Sequence, residues 1–190
     1  MDTPTLQTPR LRLEPVALKH APHLQPLFAD PEVLRYLSAQ IPQPYPAEGM
    51  QWFLEHDLLP RVDSGASVAW VLVLRETGTP VGLLVWRRHQ SDEGDRGFWL
   101  GRPYWGQGLM TEAITAFQDH VFFEVGLERM ELRSGIHNHG SSRLKEKTGC
   151  VKIGEAEGKM REGSIVGVWE ITRARWSALR RPAPSHEKQR

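Results

Sequence analysis

The chain has a single cysteine, Cys150, among 190 residues. It cannot close an internal disulfide, and a cytoplasmic protein is the expectation. A metal site is not expected either. His137-Asn138-His139 places its imidazoles on opposite sides of an extended backbone, and one usable imidazole with one thiol is too few ligands. Long apolar runs are also missing. The longest, Val68-Ala69-Trp70-Val71-Leu72-Val73-Leu74, is about a third of a membrane span and reads as a buried strand. Membrane association is not expected, nor is a cleaved leader, because no apolar run precedes a cleavage pattern. Neither sign of charge dominates: 24 Lys and Arg stand against 23 Asp and Glu. That balance argues against nucleic acid as a partner and for a small molecule or peptide. The length suits one domain over residues 1–180, with a basic, proline-broken and flexible tail over 181–190. No internal repeat is visible, and both a monomer and a homodimer are compatible with the composition.

What the chain does contain is a strand pattern ending in glycines where a helix pattern begins: Leu100-Gly101-Arg102-Pro103-Tyr104-Trp105-Gly106-Gln107-Gly108-Leu109-Met110-Thr111-Glu112-Ala113. Gly106 and Gly108 at a helix start let unpaired backbone N–H groups converge on an anion with no side chain in the way. The nucleotide phosphate loop almost fits residues 101–106, but Gln107 stands where its lysine should be. The dinucleotide fingerprint fails as well, since Thr111 occupies the place of its third glycine. A glycine turn that merely joins strand to helix is the plainer alternative.

Around this stretch, residues 8–15 alternate as a strand. Helices are expected over 19–28 and again after Asp30-Pro31, which pairs an N-cap with proline at the first helical position. Residues 40–46, with three prolines, form a stiff loop, and 47–61 resume a helical period. Strands at 68–74 and 81–86 form a hairpin; a polar loop over 89–95 leads to a strand at 97–100. A long helix over 107–125 ends at Gly126. A strand at 129–134, a helix from about 141 to 148 stopping at Gly149, and strands at 151–156 and 165–172 complete the chain. Trp52, Trp70 and Trp86 are expected in the core.

Trp105-Gly106-Gln107-Gly108 with Thr111-Glu112-Ala113, preceded by Gly97-Phe98-Trp99-Leu100, resembles the pyrophosphate-binding segment of the GNAT superfamily of N-acetyltransferases. The branch that acetylates ribosomal-protein N-termini is the nearest in pattern. Asn138-His139-Gly140-Ser141, followed by Glu146-Lys147-Thr148-Gly149-Cys150, matches that branch's Asn-x-x-Ser … Glu-Lys-x-Gly-Phe segment at every spacing. The resemblance spans nearly the whole chain, with residues 8–13 like the family's opening strand and 171–176 like its closing one. It implies an α/β (α+β) fold: one domain with a mixed, mostly antiparallel sheet of about seven strands, flanked by helices on both faces.

The same resemblance implies acetyl-CoA as co-substrate, held by Trp99, Leu100, Trp105, Gly106, Gln107, Gly108, Leu109, Met110, Thr111, Asn138 and Ser141. An N–H near Leu100 would bond the acetyl oxygen. Relatives often place a tyrosine in the second helix as the acid that protonates the departing thiolate. Lys145 occupies that position here, which leaves Ser141 as the acid. Cys150 replaces the family's aromatic residue, and Arg96 stands where the branch prefers an apolar one. A protonated amine acceptor must lose a proton before it attacks. Asp95, in the loop beside the acceptor, is the first candidate for the base and His89 the second, with Glu93 between them. The expected activity is transfer of an acetyl group to a primary amine, including a protein N-terminus. The alternatives are a non-catalytic acyl-CoA-binding module and an acetyltransferase for small-molecule amines such as antibiotics or polyamines.

Overall fold

The computed structural model of the chain describes residues 3–88 and 93–180. Eight strands form one sheet: β1 (Leu6–Gln7), β2 (Leu11–Pro15), β3 (Ser67–Leu74), β4 (Pro80–Arg88), β5 (Glu93–Leu100), β6 (Arg129–Gly135), β7 (Val151–Met160) and β8 (Gly163–Thr172). Their order across the sheet is β1-β2-β3-β4-β5-β6-β8-β7. Every pairing is antiparallel except β5 with β6, which run parallel. The eighth strand beyond the expected seven is the two-residue β1.

Helices α1 (Ala21–Phe28), α2 (Pro31–Leu34), α3 (Gly49–Phe53) and α4 (Leu59–Asp63) precede β3. A π-helical turn, Leu54–Leu58, joins α3 to α4. Helix α5 (Leu109–Asp119) makes the crossover between β5 and β6 that parallel strands require. Helix α6 (His139–Lys147) follows β6, and α7 (Arg173–Arg180) closes the described chain.

Side chains alternate across the sheet and so build two cores. Leu11, Leu13, Trp70, Leu72, Leu84 and Trp86 pack with Phe117, Val121 and Phe122 of the α5 layer. On the other face Ala69, Val71, Val73, Leu83, Val85 and Trp99 pack with Leu24, Leu34, Met50 and Leu54. Because both faces are covered, β3 and β4 are continuous apolar runs. Trp70 lies edge-on to Phe117, 5.8 Å between ring centroids, and its indole N–H donates to the Pro4 carbonyl.

Three expectations need correction. The expected closing strand over 171–176 ends at Thr172 and becomes α7. The Thr172 hydroxyl accepts the Arg175 N–H as a helix cap does, and Trp176 is buried on the helix's inner side. Residues 93–95, expected in a loop, already belong to β5. Trp52 is not core: it is 61% exposed and stacks on His56.

The hairpin of β7 and β8 extends to Met160 and Gly163, beyond the expected ends, and its tip reaches the loop after α2. Ser38 bridges Met160, the Ala39 N–H donates to the Lys159 carbonyl and the Arg161 N–H donates to the Leu37 carbonyl. Arg161 also donates to the Ile41 carbonyl, and Arg35 pairs with Glu162.

Candidate active site

Of the eight residues in β5, only Glu93 and Gly94 pair with β6, through Arg129 and Met130. Beyond them the two strands part and leave a wedge. On the other edge of β5 the Gly101 N–H is held by the Val81 carbonyl, and the β4 register sets Gly82 opposite Leu100. Antiparallel ladders alternate, so the Phe98 and Leu100 N–H groups point away from β4, into the wedge. Parallel strands also end on the same side. Helix α5 starts beyond the end of β5 and α6 beyond the end of β6, which sets two helix N-termini beside the wedge's open mouth. In sheets of parallel strands, ligands occupy the crevice at such ends.

At the first mouth, Gly106 and Gly108 adopt φ of +74° and +78°, which side-chain-bearing residues rarely do. Gly108 caps α5 with no side-chain hydrogen bond, and its carbonyl takes the first helical bond, from Glu112. The N–H groups of Leu109, Met110 and Thr111 thus lie ahead of the first helical bond. Leu109 and Met110 turn their side chains into the core, so each offers the site its backbone alone. The Trp105 indole donates to the Leu100 carbonyl at 2.6 Å, and the Gln107 amide folds back onto the Pro103 carbonyl. Trp99 faces the other core, 5.0 Å from the Phe28 ring.

Arg10, which the sequence did not single out, adds a cation here. Its guanidinium donates to the Gln107 carbonyl at 2.9 Å, and a side chain at Gly108 would meet it at 3.5 Å. Glu112 fixes Arg10 through its backbone N–H at 2.7 Å and its Nε at 2.8 Å, and also accepts from the Thr8 hydroxyl. Burial alone would raise the Glu112 pKa. The bonds from Thr8 and Arg10 outweigh that and hold it below the usual carboxylate range.

At the second mouth, the Asn138 Oδ1 accepts the Ser141 N–H at 2.9 Å and caps α6. Ser141 is buried, and its Oγ accepts a 2.6 Å hydrogen bond from the Lys145 Nζ one turn later. Lys145 is 2% exposed and Arg96 5%. The Arg96 guanidinium donates to the Gln118 Oε1 at 2.7 Å and lies 4.0 Å from the Cys150 Sγ. Three of the positions that depart from the family pattern, 96, 145 and 150, therefore form one cluster. Burial first, and then the Arg96 charge, push the Lys145 pKa down to about 7, against a smaller opposing effect of Cys150.

Asp95 lies on the sheet face opposite this cluster, where the Arg87 Nε donates to it at 2.6 Å. His89 lies outside the described residues. The structure thus brings Gly106, Gln107, Gly108, Leu109, Met110, Thr111, Leu100 and Trp105 to one mouth, and Asn138 and Ser141 to the other. Among the described residues, no group of His, Cys, Asp and Glu could hold a metal ion, and no helix is long and apolar enough to cross a membrane.

The family model described as an acetyltransferase (GNAT) domain matches residues 10–151. An uncharacterized N-acetyltransferase, p20, of Bacillus licheniformis is 26% identical over 156 residues, 79% of this chain and 84% of that protein. Among solved structures, a GNAT-family acetyltransferase from Bacillus anthracis shares the fold at a TM-score of 0.77 and 18% identity, covering 90% of this chain and 99% of its own. RimL, a ribosomal L7/L12 α-N-protein acetyltransferase solved in complex with coenzyme A, matches at a TM-score of 0.76 and 18% identity, over 89% of this chain and 98% of that one. With the family match spanning most of the chain, this protein belongs to the GNAT family of acetyl-CoA-dependent acyltransferases.

Proposed function

We propose that the protein transfers an acetyl group from acetyl-CoA to a primary amine by direct attack, with a protein N-terminal amine as acceptor. The observation that carries this is the pairing of two helix N-termini at the mouth of a wedge edged by unpaired backbone donors. The amides of residues 109–111, with Arg10, suit the pyrophosphate. The Phe98 and Leu100 N–H groups suit the extended pantetheine arm, and the Leu100 N–H suits the thioester oxygen as negative charge develops there. One such donor contributes roughly 3 kcal/mol to the transition state.

A thioester needs no further activation, so the protein's work is to align a neutral amine within about 3 to 3.5 Å of the carbonyl and to manage two protons. Ser141 protonates the sulfur. Asp95 and His89 stand as candidates for taking the amine proton, directly or through water. The protein N-terminus as acceptor draws its support from RimL, which acts on such a terminus.

Thermal unfolding with and without ligand tests the reading. Acetyl-CoA or CoA at a hundred times its Kd should stabilise the fold by about 2.7 kcal/mol. For this chain length that is a rise in Tm of roughly 5 to 10 °C. ATP should give none, and absence of a shift with either CoA species would remove the site assignment. Acetylation of a peptide with a free N-terminus, but not of its blocked, lysine-containing counterpart, then tests the acceptor. Ser141→Ala should lower kcat by about 100-fold while leaving acetyl-CoA affinity within a few-fold; an unchanged kcat would remove Ser141 as the acid.

A further inference from the structure

Lys145 is a lysine buried with no carboxylate partner among the described residues. Its amino group meets the Ser141 Oγ and lies 5.9 Å from the Trp169 ring centre. The charges that act on it are Arg96 of β5, which repels its proton, and Cys150 at the head of β7, which favours it; among the described residues no carboxylate contributes. Acidic groups of the neighbouring elements are engaged elsewhere: Asp95 of β5 with Arg87, Glu112 of α5 with Arg10, Asp119 of α5 with Trp176 and Arg180, Glu131 of β6 with Arg133, and Glu170 of β8 with Arg129. Gln118 faces the cluster as a neutral amide held by Arg96 and the Thr148 carbonyl. An ammonium in this place is held weakly, and among the described residues its one hydrogen-bond acceptor is the hydroxyl at the mouth of α6.

An ammonium group only donates. While Lys145 is charged, the Ser141 Oγ must accept from it, so the serine's own hydrogen is turned away from Lys145 and available to another acceptor. We propose that Lys145 is the positioning residue that supplies the leaving-group proton through Ser141. This rests on the acetyl-CoA reading above.

As the amine nitrogen bonds to the acetyl carbon, the C–S bond breaks and its electron pair goes to sulfur. Ser141 gives its proton to sulfur and takes one from the Lys145 Nζ. Lys145, left as a neutral amine, regains a proton from water, and the proton displaced from the acceptor nitrogen goes to water, so the exchange balances. The transfer runs downhill: an ammonium whose pKa lies at about 7 gives its proton readily to a thiolate, whose conjugate acid ordinarily titrates near 8.5.

The test follows acetyl-CoA consumption with hydroxylamine, a small amine already neutral at pH 7, for the wild-type protein, Lys145→Gln and Lys145→Met. Glutamine keeps a hydrogen-bond donor for Ser141 but has no proton to release. Wild-type kcat should fall about tenfold per pH unit above pH 7. In both variants kcat at pH 6.5 should drop about 10- to 100-fold, the alkaline fall should vanish, and the KM for acetyl-CoA should stay within about threefold. Glutamine at full wild-type rate, or an unchanged alkaline limb, would reduce Lys145 to a strut and overturn the proposal.

Lys145→Met carries its own folding control. The folded pKa lies below the unfolded value, so burying this charge destabilises the wild type fully below pH 7 and progressively less as pH rises toward 10.5. The variant's Tm should exceed the wild type's below pH 7, and the gap should narrow above it. Should it fail to fold, Lys145→Gln decides alone. A thermal shift with acetyl-CoA but no turnover overturns the relay and leaves the binding site standing. With no shift at all, both readings fall.

Discussion

Gly108→Asp is expected to abolish binding of coenzyme A while leaving the fold intact. The residue sits at φ +78° as the N-cap of α5, in a left-handed conformation that Asp adopts more readily than most residues. An N-cap carboxylate also accepts from the amides of the first turn and favours the positive end of the helix, which offsets much of the strain. It would then bond the groups an anionic ligand needs. Arg10 lies 3.5 Å from where the new Cβ would stand, ready to pair with the carboxylate. Calorimetric titration should show affinity lower by 100-fold or more, and the unliganded Tm should move by only a few degrees. Gly108→Ala, which adds strain without charge, should cost far less affinity. A Kd within threefold of wild type for Gly108→Asp would mean that the amides of α5 bind nothing.

Gly82→Ala should have the opposite profile, with the fold itself taking the damage. A Cβ at Gly82 would lie 2.4 Å from the Trp99 carbonyl oxygen and 3.1 Å from the Leu100 Cα. Both are backbone atoms of the neighbouring strand and cannot rotate away as a side chain would. Either β4 and β5 separate, which strains the ladder at the centre of the sheet, or β5 slides and takes Leu100 and the turn that follows with it. A loss of 3 kcal/mol or more is in keeping with such a clash, and corresponds to a fall in Tm of roughly 10 °C. Whatever folded protein remains should bind coenzyme A more weakly, because Leu100 is both the strand's end and a donor to the wedge. A Tm within 2 °C of wild type would show that the two strands absorb a methyl group between them.

Much of this was legible from residues in order, and what was not has physical reasons. The continuous apolar runs of β3 and β4 announced strands covered on both faces. The glycines that end helices, Gly126 and Gly149, do adopt positive φ, at +83° and +86°. Gly106 and Gly108, expected where a helix begins, adopt positive φ there, Gly108 as the N-cap of α5. Arg10 could not be found that way: its place depends on Glu112, a partner 102 residues away that only the folded sheet brings near. Lys145 was visible as a departure, but not its surroundings, since Arg96 and Cys150 reach it from separate elements. Residues 171–176 were expected as a strand from the resemblance alone, and their helical half was decided by a threonine cap and by the burial of Trp176. Trp52 failed for a related reason: on a short helix an aromatic residue suits the inner or the outer side, and here its stacking partner, His56, sits one turn away on the same exposed side.

The tie between the tip of the β7–β8 hairpin and the loop after α2 is made largely by backbone groups, those of residues 37, 39, 159 and 161. The backbone bonds of such a frame do not depend on which side chains it displays. Substitutions around its rim can change the shape and charge it presents to solvent without shifting the backbone bonds that hold the rim together.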